Sequence, residues 1–225
     1  MSIHLLHPAG SVGGIALQAG PSRRSVYRAV GKRALDIALV LLTAPVTLTL
    51  VLMMALLTAL DGSNPFFVQR RLGKGGRVFR MWKIRTMVPD AEGMLARCLA
   101  ADPALRREWE STQKLKEDER VTPFGRMLRK TSLDELPQLW NVLAGDMSLV
   151  GPRPMMPNQR DLYPGQAYFR LRPGITGPWQ VSERNATTFA ARAEFDAEYD
   201  LSLSFGRDVA ILSATVGVVL KGTGH

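Results

Sequence analysis

The stretch Ile37-Ala-Leu-Val-Leu-Leu-Thr-Ala-Pro-Val-Thr-Leu-Thr-Leu-Val-Leu-Met-Met-Ala-Leu-Leu-Thr-Ala-Leu60 decides how this chain begins its fold. Its 24 residues carry no charge and are mostly apolar. As a helix rising about 1.5 Å per residue, they are long enough to cross the roughly 30 Å hydrocarbon core of a bilayer. Pro45 lies inside the stretch, where a proline removes one helical hydrogen bond and clashes with the preceding turn. We therefore expect a membrane-inserted helix that is broken or kinked at Pro45.

Basic residues on both sides of this stretch predict which side of the membrane its ends face. Positively charged flanks prefer the cytoplasm, so two basic flanks favour a re-entrant helix that enters and leaves through one leaflet. A single-pass anchor and a buried helix of a soluble core are the alternatives. At the edge, Asp36 has the helical spacing to pair with Lys32 or Arg33. The flanking cations are Arg23, Arg24, Arg28, Lys32 and Arg33 before the stretch, and Arg70, Arg71, Lys74, Arg77, Arg80, Lys83 and Arg85 after it.

Length and composition predict one functional module. The chain has 225 residues, enough for one domain of ordinary size with a buried core. Residues 1–22 contain no Lys, Arg, Asp or Glu and several glycines, so we predict a flexible tail over 1–27. We assign 28–62 to the membrane-inserted re-entrant helix and 63–225 to a compact cytoplasmic domain that forms one module with it.

The charged and rare residues limit the chemistry. Lys and Arg total 29 against 20 Asp and Glu, and the net charge of +9 predicts attraction to anionic lipid, nucleotide or nucleic acid. His4, His7 and His225 lie near the chain ends, which excludes a Ser-His-Asp or Cys-His apparatus and a histidine-rich zinc site. Cys98 is the single cysteine, so an internal disulfide is excluded. Any catalysis must use carboxylates, lysines, arginines or a hard metal ion.

The rest of the chain reads as helices joined by loops and short extended segments. Glycines among basic residues predict an extended loop or hairpin over 64–76, and mixed charge predicts two helices around Pro103. Residues 120–182 are typical of a loop-rich site held by short helices, and 196–220 is helical again. The predicted fold class is mainly α with short β or irregular segments (α+β), with amphipathic helices at the membrane interface. An apolar stripe predicted to face the core comprises Val209, Leu212, Val216, Val219 and Leu220.

Two adjacent carboxylates follow two cations in the segment Arg129-Lys130-Thr131-Ser132-Leu133-Asp134-Glu135-Leu136-Pro137-Gln138. Thr131 or Ser132 can cap a helix whose first turn then holds Asp134 and Glu135 near the positive end of the helix dipole. That position keeps carboxylates ionised and can admit an anionic ligand. The same pair also occurs in ordinary helix starts, so the segment alone does not establish a site.

Two further segments are rich in turns. Gly145 to Pro154 ends in Pro152-Arg153-Pro154, where two prolines fix the backbone around an arginine suited to bidentate phosphate recognition. A rigid turn with a solvent-facing arginine is the alternative. Arg172 to Val181 contains Trp179 among glycines and prolines. Taken singly, both segments are loops.

In this order along the chain, the motifs resemble those of bacterial sugar transferases of the monotopic phosphoglycosyl transferase family. The chain is most similar to the small members that start exopolysaccharide repeat units, the hexose-1-phosphate transferases. The matching segments are Lys32 to Asp36, Pro65 to Phe67, Gln69 to Gly73, Lys83 to Met87, Ser132 to Gln138, Gly145 to Pro154 and Arg172 to Val181.

The resemblance implies a reaction and a site. Such proteins transfer a sugar 1-phosphate, usually of a hexose, from a UDP-sugar to polyprenyl (undecaprenyl) phosphate at the cytoplasmic face of the bacterial inner membrane, releasing UMP. The aspartate matching Asp134 attacks the β-phosphate and forms a covalent phosphosugar intermediate, assisted by Mg²⁺. Glu135 is carried over for metal or proton handling, Arg153 for phosphate binding and Asp196 as an acidic substrate-site residue. The resemblance makes 63–225 the catalytic domain.

Physical reasoning supports this chemistry beside one rival. Mg²⁺ at Asp134 and Glu135, helped by Lys83, Arg85 and Arg153, can neutralise the charge that repels a carboxylate from a diphosphate. The rival is a basic membrane-anchored nucleic-acid or anion-binding module without catalysis. RNA-binding folds usually place stacking aromatics on a basic face, whereas the four Trp and four Tyr here are scattered, so no nucleic acid partner is expected. The sequence does not fix the oligomeric state, and a homo-oligomer is compatible with it.

Overall fold

The structure, a computed structural model, describes residues 26–112, 115, 117–182 and 189–220. It is mostly helical with short strands, which confirms the predicted α+β class. The predicted tail over 1–27 lies outside the described residues except for Val26 and Tyr27. Tyr27–Gly31 form a π-helical turn that continues directly into the first long helix. The membrane-directed helix therefore begins before residue 28.

Helices and two small sheets follow one another along the described chain. Short 3₁₀ turns lie at Lys74–Gly76, Leu133–Glu135 and Pro157–Leu162. The sequence predicts an extended loop or hairpin over 64–76, and the hairpin observed is longer, with strands at Phe66–Leu72 and Val78–Ile84; the helix pair expected around Pro103 is present. The elements are α1 (Lys32–Ala59), β1 (Phe66–Leu72), β2 (Val78–Ile84), α2 (Ala91–Ala101), α3 (Pro103–Thr112), α4 (Pro123–Thr131), α5 (Gln138–Ala144), β3 (Ser148–Val150), α6 (Ala167–Arg170), β4 (Gly174–Thr176), α7 (Pro178–Val181), α8 (Arg192–Ser202) and α9 (Phe205–Leu220).

α1 contains nearly the whole apolar stretch in one continuous helix. The helix over Tyr27–Ala59 is long and apolar enough to cross a membrane. An 18-residue stretch within it has a mean hydropathy of 2.4, and only 11% of that stretch is buried. The core helix of a soluble protein is mostly buried, so this alternative is disfavoured. Pro45 lies inside α1 and does not end it, so the expected break into two helices is not observed. A single proline removes one backbone hydrogen bond, which helices at membrane depth tolerate.

Both ends of α1 pack against the same domain. Near its start, Val40 is buried in a cluster with residues of β2 and α5. Near its end, Met54 is buried against Ile84 of β2. Between these contacts, Leu42 and Val46 are 76% and 66% exposed. The helix therefore touches the domain twice and presents its apolar middle outward.

The charged residues at the start of α1 bind the domain, and the expected local pair is wrong. Asp36 does not form an ion pair with Lys32 or Arg33; its Oδ1 accepts a hydrogen bond of 3.0 Å from the Leu149 N–H in β3. Lys32 Nζ lies 2.7 Å from Asp208 Oδ2 in α9. Arg33 donates to carbonyl groups at the C-terminal end of α5. Helical spacing indicated neighbours, but the fold offers each group a partner far away in sequence.

Two small sheets are present, and one of them brings the two turn-rich segments side by side. β1 and β2 form an antiparallel hairpin over their full length. β3 and β4 pair in parallel, with Val150 opposite Thr176. A Cβ atom added at Gly174 would lie 2.1 Å from the Gly151 nitrogen, so the backbones approach too closely for any residue but glycine. This pairing holds the Pro-Arg-Pro segment after β3 beside the Trp179 segment after β4.

The stripe predicted to face the core along α9 is only partly buried. Val209 and Val216 are 40% and 60% exposed. The side that faces the domain instead contains Asp208 and Ile211, at helical spacing, with Asp208 serving as an acceptor for Lys32. Among the remaining stripe residues, Leu212 packs against the core, and the side chains of Val219 and Leu220 lie outside the described residues.

Candidate active site

The predicted carboxylate pair lies on a short 3₁₀ turn between α4 and α5. α4 ends at Thr131, and Ser132 adopts a left-handed conformation with φ of 56°. The expected helix cap by Thr131 or Ser132 is wrong, because Ser132 ends the preceding helix and its side chain makes no cap hydrogen bond to the turn. Asp134 and Glu135 therefore owe their charge state to neighbouring side chains and burial rather than to a long helix dipole.

Apolar contacts pack this turn against the end of α1. Leu133 and Leu136 pack against a buried cluster of four residues. Two of them, Met54 and Ala55, belong to α1, and the others come from β2 and α4. The carboxylate pair is thus fixed directly against the membrane-directed helix.

Lys83 reaches the carboxylate pair from β2. Its Nζ lies 2.7 Å from Glu135 Oε1 and 3.9 Å from Asp134 Oδ2. Alternate strand residues share one side, so Lys83 lies on the same side of β2 as the buried Phe79 and Met81, and its long side chain reaches the turn. The structure thereby joins three of the predicted site residues.

Burial is the main influence on Asp134. It raises the pKa of this carboxyl to about 6, and the negative charge of Glu135 acts in the same direction. The positive charges of Lys83 and Arg129 lower the pKa of Asp134. Arg129 is fixed by a hydrogen bond of 2.9 Å from its Nε to Thr86 Oγ1. Near neutral pH, Asp134 is therefore mostly ionised yet poorly hydrated, which suits a nucleophile.

Arg85 does not join this group. Its guanidinium donates to Asp61 Oδ1 at 2.8 Å and to the backbone carbonyls of Thr58, Asn64 and Met87. It closes the turn that leads from α1 to the hairpin. The predicted substrate-binding residue is therefore placed in a structural contact at the end of α1.

A pocket lies between the Pro-Arg-Pro segment, α7 and α8. Arg153 and Asp196, both predicted site residues, line it together with Trp179, Phe189 and Arg192. The Arg153 guanidinium carbon is 5.8 Å from the Trp179 ring centroid, and that of Arg192 is 4.1 Å from the same centroid. The rigid turn therefore points its arginine into a shared pocket.

Asp196 is the buried acid of this pocket. It is 3% exposed and accepts a hydrogen bond of 2.8 Å from the Tyr163 hydroxyl. Burial raises the pKa of Asp196 to about 7, although the Tyr163 hydrogen bond and the charge of Arg192 lower it. The carboxyl thus changes charge near neutral pH.

Arg71 of β1 connects the pocket with the carboxylate pair. Its Nη1 donates to the Pro154 carbonyl at 3.1 Å. Burial, together with the like charges of Arg153 and Arg192, lowers the pKa of Arg71 to about 10, whereas the charge of Glu135 raises it. Arg71 thus interacts with charges on both sides of the site.

The carboxylate pair fits a magnesium ion in its donor chemistry. Over the described ranges, no group of three or more His, Cys, Asp or Glu residues is placed to hold a metal. Mg²⁺ is usually bound by one or two carboxylates together with substrate phosphates. Asp134 and Glu135 provide these two carboxylates on adjacent residues of one turn.

Sequence reasoning missed several cations and an aromatic of the site. Arg71 and Arg129 belong to the matching motifs, but the sequence pattern assigns neither a role in the site. Arg192 follows a segment that lies outside the described residues, and no pattern singled it out. Trp179 was noted only as a polar aromatic in a loop.

Comparisons with known proteins agree on one family. The sequence model of the family described as bacterial sugar transferase matches residues 27–222 of this chain. A UDP-galactose-lipid carrier transferase of Erwinia amylovora is 43% identical over 86% of this chain, which spans 41% of that protein. The exopolysaccharide production protein ExoY of Sinorhizobium fredii is 39% identical over 91% of this chain and 93% of its own length. An undecaprenyl-phosphate galactose phosphotransferase of Salmonella typhimurium is 42% identical over 86% of this chain, again 41% of that protein.

Proposed function

This chain belongs to the bacterial sugar transferase family, and we propose that it transfers a sugar 1-phosphate from a UDP-sugar to undecaprenyl phosphate, releasing UMP. The reaction would take place at the cytoplasmic face of the inner membrane, as the first membrane step of exopolysaccharide synthesis. Relatives named for galactose transfer to a lipid carrier and for exopolysaccharide production support this proposal. Because two of these names specify galactose, UDP-galactose is the first donor to test.

The observation that carries the proposal is the buried Asp134 carboxylate beside Lys83 and Glu135. In the first step, an Asp134 oxygen would bond to the β-phosphorus while the bond to the bridging oxygen breaks and UMP leaves. In the second step, a phosphate oxygen of undecaprenyl phosphate would bond to the same phosphorus and release the Asp134 carboxylate. Each step exchanges one P–O bond for another, so no oxidant or further reactant is required.

Charge neutralisation is the main task of the surrounding residues. A carboxylate is repelled by a diphosphate unless positive charge lies close to both. Lys83 and Arg129 supply such charge near Asp134, so Arg129 takes the place that sequence reasoning gave to Arg85. Glu135 and Asp134 would hold Mg²⁺, which when bound would neutralise further charge on the donor.

The contacts of α1 support a re-entrant path for the membrane helix. A straight crossing would place Val40 and Met54 near opposite faces of the bilayer, whereas both are buried against one domain. The exposed apolar middle between them would then dip into the cytoplasmic leaflet and return, with a bend at Pro45 inside the otherwise continuous helix. This arrangement keeps Asp134 near headgroup depth, where the lipid phosphate lies.

The covalent intermediate provides the test. We expect the full chain in detergent, given UDP-galactose and Mg²⁺ without acceptor, to release one equivalent of UMP and gain the mass of one phosphosugar. Asp134→Asn should abolish the burst and the adduct, and Glu135→Gln should impair turnover severely. Asp146→Asn is the matched control and should behave like the wild type, because the partner of Asp146, Arg77, is 73% exposed.

Two results would contradict this mechanism. One is an adduct that persists in Asp134→Asn. The other is steady-state kinetics that require donor and acceptor to be bound together. A panel of other UDP-sugars identifies the preferred donor, and a protein that releases no UMP from any of them would favour a binding module without catalysis.

A further inference from the structure

Two arginines of the pocket face one tryptophan without pairing with an acid. Arg153 and Arg192 each stack on the Trp179 ring, and the Arg192 guanidinium carbon also lies 4.9 Å from the Phe189 centroid. Among the described residues, neither guanidinium group forms an ion pair within 4 Å, and the buried Arg192 Nε has no hydrogen-bond partner. Stacking on aromatic rings fixes the orientation of these guanidinium groups and leaves their N–H edges to bind an acceptor.

Among the described residues, one buried donor without an acceptor lies in the pocket, and another belongs to Arg71, which contacts the adjoining Pro154. The Nε atoms of Arg71 and Arg192 are both buried, and within the described part of the chain neither has a hydrogen-bond partner. Buried donors in proteins are nearly always paired, so each such atom requires an explanation. An anion that enters the pocket would supply an acceptor for the Arg192 Nε, and Arg71 beside Pro154 would add positive charge.

The pocket also lacks counter-charge. Of its lining residues, only Asp196 is an acid, whereas Arg153 and Arg192 are positive. The charges of both arginines also lower the pKa of the nearby Arg71. Asp196 is hydrogen-bonded by Tyr163, and it makes no ion pair within 4 Å among the described residues. The cluster thus keeps an excess of positive charge in a half-buried place, which favours a dianionic phosphate.

We propose that Arg192, with Arg153 and Arg71, forms a clamp for the phosphate of the nucleoside monophosphate part of the donor, which later leaves as UMP. This assignment rests on the proposed function and adds a residue and a location to it. Lys83 and Arg129 then serve the phosphate that reacts with Asp134, and the three arginines serve the phosphate next to it.

The position of the pocket favours the nucleotide over the lipid phosphate. No described residue of α1 lines the pocket, whose walls come from the Pro-Arg-Pro segment and from the segments around α6, α7 and α8. The carboxylate turn, in contrast, packs through Leu133 and Leu136 on the cluster that contains Met54 and Ala55 of α1. A lipid phosphate held in the membrane approaches from the α1 side, whereas a soluble nucleotide can enter through the pocket.

Direct binding of UMP tests the clamp without catalysis. We expect calorimetric titration of the full chain in detergent to show UMP binding that Arg192→Gln weakens at least tenfold. Arg192→Lys keeps the charge but loses the planar fork and should also bind UMP more weakly. Arg160→Gln is the matched control, since Arg160 also stacks on an aromatic ring, Phe169 at 5.3 Å, outside the pocket. Unfolding midpoints of all variants show that the binding changes are not due to misfolding.

Further titrations separate the possible ligands. Uridine should bind equally to wild type and Arg192→Gln, because it lacks the phosphate. Farnesyl phosphate, a short soluble lipid phosphate, should also be unaffected by the substitution. The proposal is overturned if Arg192→Gln and Arg192→Lys bind UMP as the wild type does, or if they lose farnesyl phosphate affinity instead. If UMP binding depends on Arg192 but the protein forms no adduct, the proposed reaction is refuted and the clamp is supported. If UMP is released normally but its binding does not depend on Arg192, the clamp is refuted and the proposed reaction is supported.

Discussion

Replacing Asp208 by alanine should destabilise the protein more than replacing any exposed acid. Asp208 is 1% exposed and accepts hydrogen bonds from Tyr27 at 2.6 Å, Lys32 at 2.7 Å and Tyr199 at 2.5 Å. Removing one partner of a buried ion pair costs about 3–5 kcal/mol, because the remaining charge stays buried. For a chain of this size, 1 kcal/mol corresponds to about 2–4 °C, so the unfolding midpoint should fall by about 6–20 °C.

Thermal unfolding in detergent, followed by circular dichroism, measures this effect. Asp146→Ala is the control, since its partner Arg77 is 73% exposed and such surface pairs contribute about 0–1 kcal/mol. Asp208→Asn keeps the size and an acceptor oxygen but loses the charge, so its midpoint should lie between those of Asp208→Ala and the wild type. Adding Lys32→Met to Asp208→Ala should raise the midpoint again, because it removes the charge that Asp208→Ala leaves buried without a partner.

A fall of no more than about 4 °C in Asp208→Ala, as expected for the control, would refute this reasoning. It would mean that Tyr27 and Lys32 find water or other acceptors once the carboxylate is gone. The start of α1 would then not depend on α9 for its attachment to the domain.

Two further predictions concern membrane topology and pH. In a Cys98→Ser background, Val26→Cys and Arg70→Cys should both resist an impermeant thiol reagent applied to intact cells, because both flanks of a re-entrant helix face the cytoplasm; labelling of either from the periplasm contradicts this path. UMP affinity should fall between pH 7 and 8.5, because Asp196 is neutral below its pKa of about 7 and negative above it. The ionisation of UMP itself changes little over this range, since its second pKa is about 6. Arginines stay protonated over this range, so Arg153 and Arg192 keep facing Asp196 as cations, and Tyr163 stays neutral because its pKa is raised. Asp196→Asn should make the affinity independent of pH over this range, and equal slopes in wild type and variant contradict the role of Asp196.

The parts of the site that lie close together in sequence were predictable. Asp134 and Glu135 are adjacent, and Lys83 belongs to a recognisable motif. Arg85 shows the limit of this reasoning, because it stands two residues after Lys83 and alternation along a strand would put both on one side. β2 ends at Ile84, so Arg85 has already left the strand and turns to the loop after α1.

Residues that meet only through folding could not be found from local spacing. Arg71 and Arg192 are far apart in the chain, and their relation depends on the packing of the hairpin against the segments after β3 and β4. Asp36 was expected to pair within its own helix, yet the fold gives it a backbone N–H of β3. Hydrophobic periodicity indicates which side of an element is buried, but it does not identify the polar partner on the neighbouring element.

In the proposed reaction, the packing of the carboxylate turn would let one carboxylate serve a soluble donor and a lipid acceptor. Leu133 and Leu136 pack against the end of α1, which would hold Asp134 close to the membrane. Arg71, in turn, couples Glu135 electrostatically to the arginines of the pocket. If donor and acceptor enter by these separate routes, the binding sites of undecaprenyl phosphate and UMP do not overlap. In the proposed mechanism, the covalent intermediate would then carry the phosphosugar from the pocket side to the membrane side while the chain itself stays in place.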